Sequence, residues 1–339
     1  MMGPLDFPQP FRHDRLVHTL TVIFPVFAVV ILGYVLTWAG AFRVRDITGL
    51  TRYVFNIAFP VMLFDSMARV SLPESVRWSF LLAYYAPTLL LYAIGMWSGM
   101  RWFRHGITGG GMVGMSAAYS NTVFIGLPVI TTAWGDTALL PLLMIIAVHS
   151  GIMFSLTTAV AESGRHSRSR PGGDAVESTP VVALIALRTI KGMVRNPVVG
   201  GLVIGLVFNV LAIPIPAPIA AVTGLFRSSA LPAALFVTGA SLRQYNVRGQ
   251  YAETAVLVLF KLVLHPFLVW IMAALILRLP PLWTGVAVVT AAMPTGINAS
   301  VFASKYEAAV APVTSSILVT TALSILTLTV LLAVFAPPA

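Results

Sequence analysis

The sequence predicts an all-α integral membrane protein with ten transmembrane helices, arranged as two inverted five-helix repeats. Composition is the first reason: 9% of the residues are charged and 58% are hydrophobic, against about 25% charged residues in ordinary soluble domains. The arginines behind the net charge of +10 lie in short segments between apolar runs, which indicates orientation in a lipid bilayer and not a nucleic-acid partner. The chain has no cysteine, so disulfides and thiolate metal sites are excluded.

The second reason is a duplicated pattern of helix-breaking residues. Three residues recur 172 positions later: Pro25 as Pro197, Gly33 as Gly205, and Pro60 as Pro232. Both third prolines begin the same pattern, Pro-x-x-Leu-Phe. Duplicated membrane units with helix-breaking residues are typical of secondary transporters.

Ten apolar runs are long enough to cross a hydrocarbon core of about 30 Å. The predicted spans are 19–41, 47–69, 78–100, 107–133, 138–160, 196–213, 222–242, 252–278, 282–305 and 311–336. They divide the chain into an N-terminal polar segment (1–18), a first repeat (19–160), a polar linker (161–195) and a second repeat (196–336). From Pro180 the linker is predicted to form an amphipathic helix on the inner membrane surface.

The distribution of basic residues orients the spans. Fourteen of the 21 basic residues fall on one side of the predicted topology: Arg43, Arg45, Arg52, Arg101, Arg104, Arg165, Arg168, Arg170, Arg188, Lys191, Arg195, Arg243, Arg248 and Lys305. The positive-inside rule makes this the cytoplasmic side of the cell (inner) membrane and places both termini on the non-cytoplasmic side. An odd number of spans in each half then inverts the second repeat.

Spans four and nine carry the predicted binding site, because both have Asn, Thr, Gly and Pro near their middle. Proline removes a backbone donor and should unwind each helix, and the freed polar groups must line an enclosed cavity. Half-helix N-termini and asparagine amides suit a carboxylate. The alternative is two ordinary kinks with asparagines joining helices. The candidate residues are Asn121, Thr122, Gly126, Pro128, Pro294, Thr295, Gly296 and Asn298.

Ionisable residues inside the spans are few. Lys261 lies in span eight with His265 one turn further on, and both are candidates for the site. Lys261 could pair with an anionic substrate, hydrogen-bond the broken end of helix nine, or extend towards the inner surface. We expect His149 to make a structural hydrogen bond and Asp65 to be solvated at the outer end of span two.

The chain resembles the auxin efflux carrier family over about residues 20–335. The resemblance is carried by Asn121 to Pro128, Asn56 to Pro60, Asn196-Pro197 with Gly201 and Gly205, Ala230 to Leu242, and Met293 to Thr295 with Asn298. Through its motif, Asn56 becomes a further polar candidate. The long hydrophilic central loop of many plant members is absent here, so regulation through that loop does not carry over.

The resemblance implies the fold of bile-acid sodium symporters and sodium/proton antiporters. In that fold helices 1, 2, 6 and 7 form a scaffold, helices 3–5 and 8–10 form a transport domain, and helices 4 and 9 cross at the substrate. The domain moves like an elevator, and a homodimer forms through the scaffold. The implied substrates are small organic anions, such as malonate, malate or auxin-like acids.

The scarcity of acids inside the spans predicts transport that is coupled to a proton or uncoupled, and not driven by sodium. A bile-acid-type sodium/organic-anion symporter is the alternative within transport. A membrane ligand sensor that does not transport is the alternative from another class. No nucleophile–base pair, metal-ligand cluster or phosphate loop stands out, so neither an enzyme nor a cofactor is expected.

Overall fold

The protein is helical in the ranges that its computed structural model describes, which are residues 13–72, 78–169, 196–247 and 249–336. The α-helices are α1 (His13–Trp38), α2 (Val44–Tyr53), α3 (Phe59–Arg69), α4 (Trp78–Arg101), α5 (Ile107–Ala118), α6 (Leu127–Trp134), α7 (Leu139–Ser169), α8 (Pro197–Val210), α9 (Ala217–Leu242), α10 (Tyr251–Leu259), α11 (His265–Trp270), α12 (Pro281–Ala291), α13 (Asn298–Tyr306) and α14 (Val310–Phe335). The predicted amphipathic helix from Pro180 lies outside the described residues.

Seven helical stretches in these ranges are long and apolar enough to cross a membrane, so the chain is a multi-pass membrane protein. The other predicted spans contain shorter helices. Helix α8 has 14 residues, and spans four and nine are divided into half-helices, of which α5 has 12 residues and α12 has 11. Helix length alone therefore does not establish ten spans, and the number stays a prediction.

Two predicted boundaries differ from the structure. Helix α7 continues to Ser169, nine residues beyond the predicted end of span five and into the predicted linker. Helix α1 begins at His13, inside the predicted N-terminal polar segment. The reason is the same at both places: hydropathy marks only the apolar part of a helix, whereas backbone hydrogen bonds continue into polar sequence.

Three prolines follow a wide helical turn. The π-helical turns Val54–Ala58, Thr122–Gly126 and Phe260–Leu264 each end two residues before a proline, at Pro60, Pro128 and Pro266. A proline ring collides with the carbonyl four residues earlier in a regular α-helix. A π turn shifts hydrogen bonding to the fifth residue, as when the Phe59 N–H donates to the Val54 carbonyl. The chain can therefore pass each proline without ending the helix.

Glycines bring two pairs of helices into backbone contact: α1 packs on α9, and α3 packs on α8. Gly33 faces the Phe236 carbonyl oxygen, and Gly205 faces the Phe64 carbonyl oxygen. Gly33 and Gly205 are 172 positions apart, and so are Phe64 and Phe236. Each residue of one contact therefore corresponds to a residue of the other contact 172 positions away, the same spacing that separates the duplicated prolines.

Adding one methyl group at Gly201 should separate α8 from α3. A β-carbon there would lie within 3.0 Å of the carbonyl carbon and the α-carbon of Pro60, whereas one at the neighbouring Gly200 meets no atom within 4 Å. We expect Gly201→Ala to destabilise the protein by about 1–3 kcal/mol through overpacking. Gly200→Ala should be neutral or slightly stabilising, because alanine favours helix. Melting in detergent, followed by tryptophan fluorescence, compares them; equal melting temperatures would contradict the contact.

Candidate functional site

The site is built on two interrupted helices: the first interrupted segment, 107–134, and the second, 281–306. In the first, α5 ends at Ala118 and helical structure resumes at Thr122. In the second, α12 ends at Ala291 and α13 begins at Asn298. Pro294 lies inside its break, but Pro128 lies in the first turn of α6, where a missing N–H is tolerated. The first break, at residues 119–121, therefore lies before Pro128 and is not made by it.

The crossing is the place where the two breaks, residues 119–121 and 292–297, meet. There they hydrogen-bond to each other as a short antiparallel pair. The Asn121 N–H donates to the Pro294 carbonyl at 2.9 Å, and the Gly296 N–H donates to the Tyr119 carbonyl at 2.9 Å. A β-carbon at position 296 would collide with the Tyr119 ring, so glycine is needed for this close approach. Each break thus satisfies one N–H and one carbonyl of the other, as an apolar environment requires.

Thr295 fixes the crossing against the neighbouring helices. Its N–H donates to Thr320 Oγ1 of α14 at 3.1 Å, and its own hydroxyl donates to the Ser116 carbonyl of α5 at 2.9 Å. Thr295 and Thr320 are both fully buried. Because buried donors are costly to leave unpaired, these bonds restrict the second break to one position.

Lys261 supports the crossing from behind. Its Nζ donates to the Ala291 carbonyl at 2.6 Å and to Ser120 Oγ at 2.6 Å, and it makes a hydrogen bond with His265 Nδ1 at 2.9 Å. These three bonds hold Nζ in place inside the protein. His265 Nε2 in turn makes a hydrogen bond with Thr88 Oγ1, 3.0 Å away. Of the three alternatives predicted for Lys261, the structure contains the hydrogen bond to the broken helix of span nine, at the end of α12.

Aromatic and amide side chains join the same crossing. The Ser120 N–H donates to His149 Nε2 at 3.2 Å, the structural hydrogen bond that the sequence predicts for His149. The imidazole stacks on the Tyr119 ring, with centroids 4.9 Å apart. Asn298 Nδ2 donates to the Tyr119 hydroxyl at 3.1 Å. Asn121 Oδ1 accepts the Phe124 N–H at 3.2 Å and so caps the helix that begins at Thr122.

A cavity of about 300 Å³ lies in front of the crossing. Five of the predicted site residues line it: Asn56, Asn121, Thr122, Gly296 and Asn298. The others do not line this cavity. Pro294 and Thr295 belong to the paired backbone, Gly126 and Pro128 are buried in the helix that follows the first break, and Lys261 and His265 are fully buried behind Ser120.

Six polar lining residues were not among the predicted site residues: Thr51, Arg52, Tyr119, Ser120, Ser150 and Ser241. Tyr119 and Ser120 directly precede Asn121, so the sequence contained a signal for them. Arg52 had one too, since it lies four residues before Asn56 and shares a helix face with it. Its guanidinium is the one charged group among the described residues that line the cavity.

A second polar cluster lies around Asp65, and here the prediction of a solvated carboxylate is wrong. Asp65 is 4% exposed. It accepts hydrogen bonds from Arg69 Nε at 3.0 Å and from Thr223 Oγ1 at 2.9 Å, and Arg227 lies 3.6 Å away. Arg227 also pairs with the exposed carboxylate of Asp136 at 2.9 Å. Two guanidinium groups compensate Asp65, so it can be buried.

Comparison with known proteins places these features in a family. Residues 18–332 match the family described as "Membrane transport protein". A protein of Rhizobium meliloti named "Putative malonate transporter" is 26% identical over 311 residues, covering 92% of this chain and 94% of that protein. An "Uncharacterized transporter" of Methanothermobacter thermautotrophicus is 25% identical over 311 residues, covering 90% of this chain and 95% of that protein.

Removing the Thr320 hydroxyl should loosen the crossing. Thr320→Val keeps the side-chain shape but leaves the buried Thr295 N–H without its acceptor, which costs about 1–3 kcal/mol. The adjacent Thr321 is a matched control, because its buried hydroxyl donates to the Ile317 carbonyl of its own helix. We expect Thr320→Val to melt at a lower temperature in detergent than Thr321→Val. Equal melting of the two variants would show that the Thr295–Thr320 bond does not stabilise the crossing.

Proposed function

The chain belongs to the membrane transport protein family, and from this premise we propose that it carries small organic anions, such as short carboxylates, across the cell membrane. The resemblance to the auxin efflux carriers, and to their malonate-type members, is confirmed by the family match and by the Rhizobium relative. The family indicates a transporter and not an enzyme.

One observation carries the proposed substrate class: two broken helices cross and present amides to one cavity. Asn121 and Asn298 offer hydrogen bonds from both segments, and both line the cavity. The helices beginning at Thr122 and Asn298 have their N-terminal ends there, where the helix dipole favours an anion. Arg52 adds a full positive charge. A carboxylate fits this donor set better than a cation or a neutral sugar does.

The transport mechanism is the second part of the proposal. We propose ten spans in two inverted repeats, with a scaffold of spans 1, 2, 6 and 7 and an elevator-like transport domain of spans 3–5 and 8–10. The interchanging glycine contacts of α1 with α9 and of α8 with α3 support the repeat and the scaffold. Close packing of α4 on α5, and of α5 on α7, supports the transport domain. We also expect both termini on the non-cytoplasmic side of the inner membrane, and a homodimer that forms through the scaffold.

Transport without sodium is the third part. Lys261 Nζ already donates hydrogen bonds to the Ala291 carbonyl and the Ser120 hydroxyl at the crossing. These are the kinds of oxygen ligand that a sodium ion would use, so neither is free to coordinate one. We therefore propose transport that is coupled to a proton or uncoupled.

Uptake into proteoliposomes tests the function. Malonate, malate, lactate and indole-3-acetate would be offered with a sodium gradient, with a proton gradient and with neither. We expect saturable uptake of at least one acid without sodium. Asn121→Ala and Asn298→Ala should each reduce uptake about tenfold or more, because a hydrogen bond to a charged group contributes roughly 1.5–3 kcal/mol.

Asn246→Ala is the control for that experiment, because this asparagine is exposed in the turn after α9. Full uptake by both Asn121→Ala and Asn298→Ala would remove the site from the crossing. A strict sodium requirement would instead favour the bile-acid-type symporter. Substrate binding without uptake by folded protein would favour the membrane sensor.

An ion pair at the end of α6 should hold the transport domain in place. Arg227 of α9 pairs with Asp136, in the turn before α7, so the pair joins the proposed scaffold to the proposed transport domain. An exposed pair contributes about 0.2–1 kcal/mol. Asp136→Asn should therefore shift the population away from this conformation by up to about fivefold.

Cysteine labelling measures this shift, because the natural chain has no cysteine. A single cysteine at Ser241, which lines the cavity, would report access through its rate of reaction with a membrane-impermeant maleimide in proteoliposomes. Asp136→Asn should slow the labelling, because fewer molecules would be in the conformation that has this cavity. The control is Glu307→Gln, which removes an exposed negative charge elsewhere and should not slow it. Equal rates would mean that the pair does not bias the conformation.

A further inference from the structure

The cation in the cavity is Arg52 of α2. Thr51, Arg52, Phe55 and Asn56 line the cavity together, since residues four apart share one face of a helix. Arg52 is exposed and makes no side-chain hydrogen bond or ion pair with the described residues. Its charge is therefore not committed to holding the fold, in contrast to Arg69 and Arg227, which compensate Asp65.

The other described residues that line the cavity provide partial charges and neutral donors. Asn121 and Asn298 contribute amides, and the helices that start at Thr122 and Asn298 contribute their N-terminal ends. Each helix end is equivalent to roughly half of a positive charge. Together they balance about one carboxylate. A second carboxylate would find no further compensation among these groups, so it would depend on Arg52.

We propose that Arg52 makes this site selective for dianions. The amides of the crossing hold one carboxylate of a short dicarboxylic acid, and the Arg52 guanidinium holds the other. This inference rests on the proposed function, since it concerns the same cavity. A guanidinium suits this task because its planar donors can bind both oxygens of a carboxylate. A cavity of about 300 Å³ lies at the small end of ligand sites, which fits a compact diacid.

The position of Arg52 also separates charge selection from the structural network of the crossing. Lys261 is fully buried and hydrogen-bonds Ser120, His265 and Ala291. Its amino group is enclosed by protein and does not line the cavity. Arg52 is the cation that can approach a ligand directly and can release it again by returning to water. Changing Arg52 should therefore alter ligand preference and leave the crossing intact.

Competition binding to the purified full-length protein tests this, with malonate and monomethyl malonate as probes. The two probes differ by one negative charge and have a similar size. We expect the wild-type protein to prefer malonate about tenfold or more, as a hydrogen-bonded charge pair allows. R52Q should lose that preference and keep its affinity for the monoester, which also shows that the variant is folded. R52K should keep part of the preference, because it keeps the charge but loses bidentate geometry.

The matched control is R45Q, which removes another exposed arginine of α2 that does not line the cavity. We expect R45Q to keep the wild-type preference. Equal binding of both probes by the wild-type protein, or an unchanged ratio in R52Q, would overturn the role of Arg52 alone. Failure of the folded wild-type protein to bind either probe or any acid of the uptake panel would overturn the proposed function, and this inference with it.

Discussion

The organisation of this protein depends on the need to satisfy backbone polar groups where two helices stop inside an apolar structure. Lipid offers no hydrogen bonds, and each unpaired group would cost several kcal/mol. The Asn121 N–H to Pro294 carbonyl bond and the Gly296 N–H to Tyr119 carbonyl bond satisfy groups of both helices at once. Side chains of neighbouring helices satisfy other groups of the two breaks. The close approach of the two breaks explains why one residue at the crossing, Gly296, has no room for a side chain.

The crossing has a buried side and a side that faces the cavity, and the two differ in chemistry. The buried side is closed by hydrogen-bonded groups, such as Lys261 on the Ala291 carbonyl and Thr295 on Thr320. The open side presents Asn121 and Asn298 to the cavity. Buried polar networks that are fully satisfied hold a unique geometry. Asn121 is also held by the Phe124 N–H, and Asn298 by the Tyr119 hydroxyl. Two amides oriented in advance can act as a binding surface without a large ordering cost on binding.

The sequence predicted several residues that line the cavity. Asn121, Thr122, Gly296 and Asn298 were identifiable because polar and helix-breaking residues are unusual in the middle of an apolar span. Arg52 was read only as a marker of membrane side, since hydropathy does not show which face of α2 meets the crossing. Asp65 was misread because Arg227, its second cation, lies on α9, far away in sequence. Tertiary pairing of this kind leaves no periodic signal.

Different strengths of contact within the molecule are consistent with the proposed elevator motion. Glycines let α1 pack on α9 and α8 on α3 through backbone contacts, which can slide only by breaking close packing. The crossing is bound by buried backbone hydrogen bonds. The Arg227–Asp136 pair is instead exposed, so water replaces its partners at a cost of about 1 kcal/mol or less. The proposed motion would separate this pair and keep both the glycine contacts and the crossing. It would carry the crossing past the α1, α3, α8 and α9 group as one body.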